Sequence, residues 1–362
     1  VSAHANARPQ TGAEPAAGGP AVPGAAGPAA RAVVPCRACL SGEDLDWLGG
    51  RSVSLALDLT TTVEVPTGRP GGPCTESGWA DEVWQWLRTR QPSLGLGRRP
   101  PAVTVRSDAP AASGLSSSTA LIVALFRAFT DACAPGADVS ARTLAQWAYE
   151  FEFAVFNGGG MDHLAVIAGD ALLLGGRTRG LPEVREQARF PAEWAVLVVD
   201  SATRKDTGDH IRTVRAQLAA GDARLAGYLS RTDDASAAVW AALGSRDLVA
   251  LGIAMSEAHE AMRDLQEMST PTLEELRVLA LRAAGLPLKL SGAGGGGALV
   301  GICRAADRAE IAKALRDAFR PVQPRARVIP AGAAPGLPGW TAEPHGAGSA
   351  GGAGRTGGGA RG

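Results

Sequence analysis

The order of elements along this chain predicts an α+β fold with predominantly antiparallel strands. Three observations carry that expectation. Residues 53–65 alternate strictly, with Val53, Leu55, Leu57, Leu59, Thr61, Val63 and Val65 on one side and Ser54, Ala56, Asp58, Thr60, Thr62 and Glu64 on the other. That period of two marks a long strand with one polar face. Residues 207–284 then read as mostly helical, and residues 286–329 as a closing strand, glycine loop, strand, helix and strand.

Taken in order, residues 1–31 and 342–362 are Ala/Gly/Pro-rich segments that bury little and are expected to be disordered tails. Two subdomains, 32–190 and 191–341, fill the chain between them. Residues 81–88 read as a short helix and 102–106 as a strand. The apolar run 120–129 is too long for an ordinary strand and reads as a buried helix. A second helix, 139–156, stops at Asn157-Gly-Gly-Gly160. Residues 164–168 and 171–174 look like a hairpin around Gly169-Asp170, and 194–199 like a fully apolar strand. Thr270-Pro271 supplies a cap and a first-turn proline for the helix ending near Ala284.

Composition excludes several functions. Lys plus Arg and Asp plus Glu are both 36, so no basic face argues for nucleic acid or an anionic membrane. Almost all positive charge is Arg, with Lys at 205, 289 and 313 only, a usage that with abundant Ala, Gly and Pro points to a GC-rich bacterial genome. Five cysteines in 362 residues make no disulfide framework. Cys36-Arg-Ala-Cys39 has CxxC spacing, but no second pair completes a zinc site, and on a strand the two thiols fall on opposite faces. No apolar run reaches membrane-spanning length and no signal-peptide core opens the chain, so a cytoplasmic location is expected.

The densest chemical signal is Pro110-Ala-Ala-Ser-Gly-Leu-Ser-Ser-Ser-Thr-Ala120. A small-residue loop entering a helix leaves unpaired N–H groups at the positive end of the helix dipole, a ready site for phosphate. Serine hydroxyls add hydrogen bonds to phosphate or a ligand for magnesium. Taken alone, the loop is equally a Ser-rich N-cap, and it lacks the Gly-Lys-Ser/Thr ending of a Walker loop. Lys289-Leu-Ser-Gly-Ala-Gly-Gly-Gly-Gly297 sets a second glycine loop between apolar flanks, where backbone approaches a ligand closely. In Asn157-Gly-Gly-Gly-Met-Asp162-His163 a carboxylate follows a triple glycine, placed as a general base, a charge stabiliser or a simple cap. Glu150 and Glu152 lie on the preceding helix, as magnesium ligands or as a solvated face.

Together these segments resemble the GHMP kinase superfamily. The Ser loop is similar to its second motif, Pro-x-x-x-Gly-Leu-Ser-Ser-Ser-x-Ala, at every fixed position, and residues 289–297 to its third. Gly160-Met-Asp-His163 resembles the Gly-Ile-Met-Asp-Gln segment of galactokinases. Pro35-Cys-Arg-Ala-Cys-Leu-Ser-Gly-Glu-Asp-Leu-Asp-Trp-Leu-Gly-Gly50 resembles, without gaps, their first motif, Pro-Gly-Arg-Val-Asn-Leu-Ile-Gly-Glu-His-Thr-Asp-Tyr-Asn-Gly-Gly. Asp44 replaces a sugar-contacting His of that motif, and Cys39 and Leu48 replace Asn, which argues against ordinary galactose.

The resemblance implies an ATP-dependent small-molecule kinase with an N-terminal β/α (ribosomal-protein-like) subdomain and a C-terminal ferredoxin-like subdomain. It implies that Pro110, Gly114, Leu115, Ser116, Ser117, Ser118 and Thr119, with Gly292, Gly294 and Gly295, hold ATP. Ser118 and Glu150 would hold Mg2+, Glu150 being preferred over Glu152 for its spacing to Asp162. Asp162 would take or polarise the acceptor proton, with Arg37 keeping it ionised and stabilising the moving phosphoryl group. Glu43, Asp44, Asp46, Gly160, Met161 and His163 would face the substrate, and Arg204, Lys205 and Asp209 would close over it. The expected acceptor is a small polyhydroxylated molecule, a sugar phosphorylated at its anomeric hydroxyl in the leading reading. An aminocyclitol, heptose, nucleoside-derived or amino-alcohol acceptor is the alternative, because acidic Asp44 suits an amine. A non-catalytic regulatory relative would have lost Asp162, Arg37 or the Ser loop, and all three are present. A monomer or homodimer is expected.

Overall fold

The computed structural model describes residues 30–66, 78–156, 158–203 and 207–341. The expected tails, apart from Ala30 and Arg31, lie outside the described residues, as do Asn157, Arg204 and Lys205. The first strand already begins at Ala30, two residues before the expected start.

Strand β1 (Ala30–Ser41) pairs antiparallel with β2 (Arg51–Val65), and the short helix α1 (Leu45–Leu48) turns between them. On its other edge β2 pairs with β3 (Thr104–Ser107) near its end and with β4 (Ala171–Gly175) near its start. Strand β5 (Glu183–Ala188) adds to β4. The alternation expected over 53–65 holds from Asp58 onward. Before it, Ser52, Ser54 and Ala56 are as buried as Val53, Leu55 and Leu57. Helix α7 (Ala223–Ser245) crosses there, with Ser236 Oγ 2.8 Å from Ser41 Oγ and Asp233 bound to Arg51.

Helix α3 (Ser117–Cys133) packs on β1 and β2, flanked by α2 (Gly78–Arg90) and α4 (Ala141–Phe156). Edge-to-face rings fasten the three, Trp84 to Phe129 at 5.0 Å and Phe126 to Phe151 at 6.0 Å between centroids. The expected hairpin of 164–168 and 171–174 is corrected. Residues 164–168 belong to helix α5 (Met161–Ala168), and only 171–174 is strand. A fully buried apolar run carries no periodicity that tells helix from strand, and Gly160 starts the helix. Strand β5 carries no such signal, since Glu183-Val-Arg-Glu-Gln-Ala188 is a half-charged edge without alternation.

The second sheet runs β7 (Lys289–Leu290), β8 (Ala298–Arg304), β6 (Trp194–Asp200), β9 (Arg327–Ala331), antiparallel throughout. Helices α6 (Thr207–Ala220), α7, α8 (Leu248–Gln266) and α9 (Pro271–Ala284) lead from β6 to β7, and α10 (Arg308–Phe319) from β8 to β9. That is the ferredoxin-like order, elaborated with extra helices. The expected cap is present, with Leu273 N donating to Thr270 Oγ1 at 3.3 Å and Pro271 in the first turn. After β9 the chain returns to the first sheet. Ala333 bridges Leu57, and Leu337 N donates to Ile167 O at 2.8 Å. Gly169 is required under this strap, because a Cβ there would lie 1.9 Å from Gly336 N.

The two sheets meet through the motif segments. Ala298 N donates to Ser113 O at 2.7 Å, and Cys39 N donates to Ser291 Oγ at 3.1 Å. A cleft opens at this seam. Cys36 and Cys39 are fully buried in β1, and burial pushes the Cys36 thiol up to about 11, far from reactive.

Candidate active site

A cleft of about 390 Å3 gathers residues from all four motif segments. Its floor is the pair Arg37–Asp162. Arg37 Nε and Nη2 donate to Asp162 Oδ1 at 2.8 and 2.6 Å, and Nη1 donates to Gly114 O at 2.6 Å and reaches Ser291 Oγ at 3.5 Å. One buried guanidinium on β1 thus joins the Ser loop, the second glycine loop and α5. Burial alone would raise the Asp162 pKa, but the adjacent Arg37 charge and the hydrogen bonds donated to the carboxylate together outweigh it and hold the carboxyl below its ordinary value. Asp162 sits in the first turn of α5, where the helix dipole also favours an anion.

The Ser loop is wound tightly. Ala112, Gly114 and Ser116 all take positive φ, at 56°, 81° and 57°. For Ala and Ser this is a strained conformation, held by Leu115 O accepting from Arg37 N at 3.0 Å and Pro110 O accepting from Ser113 Oγ at 2.8 Å. Pro110 and Leu115 therefore shape the loop, while Gly114, Ser116, Ser117, Ser118 and Thr119 line the cleft. Ser116 Oγ is buried with no hydrogen-bond partner, and α3 starts at the next residue. An orphaned hydroxyl beside free helix N–H groups fits an anionic oxygen.

Facing the loop, Gly292 and Ala293 line the cleft, but Gly294 and Gly295 do not. They turn onto the end of α8, where Gly295 N donates to Met268 O at 2.7 Å, and a Cβ on Gly294 would lie 2.3 Å from that oxygen. The structure gives both glycines a place in folding the loop.

Glu150, the expected magnesium carboxylate, faces away from the cleft. Glu150 is exposed and accepts from Gln146 Nε2 at 2.8 Å, on the outer stripe of α4 with Arg142. Two residues on, some 200° around the helix, Glu152 follows the buried stripe of Ala145 and Ala148 into the cleft. Glu152 Oε2 accepts from Thr119 Oγ1 at 2.8 Å and lies 2.6 Å from His163 Nε2. Burial disfavours the imidazolium, but Glu152 beside it raises the His163 pKa overall.

The opposite wall is the acidic turn 43–46. Glu43 does not present a free carboxylate, because its Oε1 accepts from Lys289 Nζ at 2.5 Å and Gly292 N at 3.2 Å, all buried. Asp44, at φ 68°, lies 2.7 Å from His210 Nε2 and accepts from Trp47 Nε1 at 3.2 Å. Asp46 Oδ2 accepts from Met161 N at 2.8 Å. Burial, with Asp162 and Asp44 adding repulsion against the Met161 N–H and Arg37, pushes the Asp46 carboxyl up to about 7. Each of the other four carboxylates has one cationic or imidazole partner, and Asp46 has none among the described residues.

Met161 and His163 line the cleft, whereas Gly160 packs behind it against Leu181 and Pro182. The neighbouring Gly159 lines it, and a Cβ there would lie 1.9 Å from Asp46 Oδ2. Gly159→Ala is therefore expected to displace the Asp46 carboxylate and raise the acceptor KM about tenfold or more, equivalent to ~1.4 kcal/mol, with the nucleotide KM little changed. Steady-state kinetics varying each substrate separately checks this.

Asp209 faces outward and pairs with Arg212, so His210, one residue along α6, reaches the cleft wall instead. Trp79, Phe153 and Ile211 also line the cleft without having been foreseen, since aromatic and aliphatic residues on helices read first as core. Lys289 opened a motif already recognised, and its rarity in an Arg-rich chain was the available signal.

Both halves of the chain match known families. The family described as GHMP kinases N terminal domain matches residues 83–170, and that described as GHMP kinases C terminal matches 240–321. The chain is 26% identical over 335 residues to galactokinase of Mycobacterium bovis, covering 78% of this chain and 92% of that protein. Among solved structures, L. major mevalonate kinase in complex with R-mevalonate shares the fold at a TM-score of 0.67 and 19% identity, covering 84% of this chain and 96% of that one. Lactococcus lactis galactokinase complexed with galactose does so at 0.67 and 16%, covering 85% and 94%. With both domains matched in order and the motif segments converging on one cleft, the chain belongs to the GHMP kinase superfamily.

Proposed function

We propose that this kinase transfers the γ-phosphoryl group of ATP to a hydroxyl of a neutral, sugar-like acceptor. Membership of the superfamily makes the chain a phosphotransferase with an alcohol group as acceptor. The observation that carries the finer reading is the Arg37–Asp162 pair, set between a phosphate-shaped loop and an acidic turn in one cleft.

The residues fit the groups this reaction needs. The N–H groups at the start of α3 and the orphaned Ser116 hydroxyl would take phosphate oxygens. Ser118 and Glu152 would hold Mg2+, which takes few protein ligands and completes its shell with phosphates and water. Bound there, Mg2+ supplies neutralisation of phosphate charge. Asp162, kept ionised by Arg37, orients the acceptor hydroxyl and accepts its proton as the new P–O bond forms. A carboxylate held below its ordinary pKa is a weak base, which suits a loose transition state in which the proton moves late. Most Arg37 donors are committed to Asp162 and backbone, so its part is to position Asp162 and to contribute charge.

The acceptor end favours a polyol over an amine. Both Asp44 oxygens already have partners, Oδ2 in His210 Nε2 and Oδ1 in Trp47 Nε1, so an ammonium group would have to displace or share them. Asp46 is the cleft carboxylate that has no cationic or imidazole partner among the described residues, which suits it to a hydroxyl. Acceptor-dependent ADP release across neutral sugars, aminosugars and aminocyclitols tests this. Turnover confined to neutral polyols is expected, and turnover confined to amine-bearing acceptors would overturn it.

The metal assignment makes its own prediction. Glu152→Gln should raise the Mg2+ concentration for half-maximal rate at least about tenfold, equivalent to ~1.4 kcal/mol of metal affinity, while Glu150→Gln leaves it unchanged. The reverse pattern would restore Glu150.

A further inference from the structure

Strand β7 is two residues long and stands at the edge of its sheet, paired with β8 on one side alone. An edge strand leaves backbone groups on its outer side without a ladder partner. Here that side is buried, and Leu290 N donates to Nδ1 of His259 at 3.1 Å. His259 comes from the middle of α8 and is itself fully buried. A backbone N–H can only donate, so Nδ1 is the bare nitrogen and Nε2 carries the proton, facing Glu274 Oε1 at 2.7 Å. Glu274 is fixed in turn by Ser269 Oγ at 2.5 Å and Arg277 Nη1 at 2.9 Å. Burial, with the Arg277 and Lys289 charges, lowers the His259 pKa against the pull of Glu274, so the ring is neutral at neutral pH.

We propose that His259 is a positioning residue of the nucleotide site: through Nδ1 it fixes the glycine-loop wall of the cleft and, through that wall, the Ser loop. This role presupposes the kinase reading of the cleft. Leu290 is followed by Ser291, whose Oγ accepts from Cys39 N at 3.1 Å and donates to Gly114 O at 3.2 Å, with Arg37 Nη1 at 3.5 Å. Gly292 and Ala293, the next in the chain, line the cleft. Gly295 is then tied to Met268 O, just past the end of α8. Helix α8 and the turn after it therefore clamp the loop on both sides of the residues that face the cleft. A displaced Leu290 carries Ser291 with it, and Ser291 is where the glycine loop, the Ser loop and Arg37 meet.

The two ring nitrogens serve different ends, which makes the roles separable. Nε2 closes a polar cluster with α9, whereas Nδ1 holds the strand that enters the loop. An Asn amide reaches the position of Nδ1, and a Gln amide that of Nε2. His259→Asn thus keeps an acceptor for Leu290 N and gives up Glu274. His259→Gln keeps a donor for Glu274 and gives up Leu290 N. The Leu290 N–H is then buried without a partner, a state that a shift of the strand relieves.

Titration of both variants of the full chain with a non-hydrolysable ATP analogue and Mg2+, alongside amide exchange and melting temperatures, tests this. His259→Gln is expected to bind the analogue at least about tenfold more weakly and to exchange the amides of residues 288–295 at least about tenfold faster. His259→Asn is expected to stay within about threefold of the wild type in both, whatever its melting temperature. Any other pattern, equal losses in the two variants or losses that follow their melting temperatures included, overturns the role. The wild-type protein supplies a second arm should a variant fail to fold. Its nitrogen NMR should show a bare Nδ1 coupled to the Leu290 amide across the hydrogen bond. That amide should gain at least about tenfold protection when the analogue binds, since coupling between two sites is reciprocal. A protonated Nδ1, or protection that nucleotide leaves unchanged, overturns the role as well. Neither arm needs an acceptor, so a failure of transfer to neutral polyols would count against the proposed acceptor and leave both readings intact.

Discussion

Replacing Asp162 with Asn lowers kcat by about 10²–10⁴-fold, the contribution of a positioned acid–base group, with ATP affinity retained. Asn keeps the size of the side chain and one oxygen for Arg37, so the floor of the cleft stays assembled while the negative charge is lost. The charge is what Arg37 preserves, since burial by itself would drive this carboxyl toward protonation. A structural role for the pair would show as lost stability and lost ATP binding together. The catalytic role shows as a fall in kcat with the nucleotide dissociation constant within a few-fold of wild type. Single-turnover kinetics and nucleotide titration separate the two. Unchanged turnover would remove Asp162 from the mechanism.

The second large effect is on stability. Lys289→Met should destabilise the protein by about 3–5 kcal/mol, the cost of leaving a buried charge unpaired. Lys289 Nζ is fully buried and donates to Glu43 Oε1 and to the carbonyls of Leu290 and Cys39. Removing it strands Glu43, whose Oε2 already lacks a partner. The pair joins the first and third motifs, so the loss opens the seam that forms the cleft. At roughly 2–4 °C per kcal/mol for a domain of 150–250 residues, the melting temperature should fall by about 6–20 °C. The Glu43→Gln/Lys289→Met double variant should recover much of that loss, because no unpaired charge remains. Equal damage in single and double variants would show that packing, and not the ion pair, is what Lys289 contributes.

Glu43 illustrates what the sequence alone conveyed. Its place in the first motif suggested a contact with substrate, but its partner lies 246 residues away, and no local spacing reports such a pairing. Asp44 and His210, 166 residues apart, are the same case. The Ser loop was legible because its chemistry is contiguous, with the residues that wind the turn and those that face the cleft adjacent in the chain. Glu150 against Glu152 is a question of helix phase: the buried stripe of α4 carries Glu152 into the cleft, which spacing to Asp162 does not convey. The glycines at 294 and 295 show the reverse limit. Glycine marks where backbone must come close, and here it comes close to Met268. Among the elements, the long strand β2 and the capped helix α9 carried strong periodic or capping signals, whereas buried α5 and charged β5 carried neither.

In the proposed mechanism one cleft seats the nucleotide at the Ser loop and hands its γ-phosphoryl group to an acceptor hydroxyl at Asp162. Phosphorus NMR of a reaction containing ATP, Mg2+ and neutral sugar acceptors tests it most directly, because it shows where the phosphoryl group goes. A monoester resonance growing as the γ-phosphate signal falls, in the wild type and not in Asp162→Asn, is the predicted result. Inorganic phosphate as the only product, or intact ATP with every acceptor while nucleotide stays bound, would contradict it.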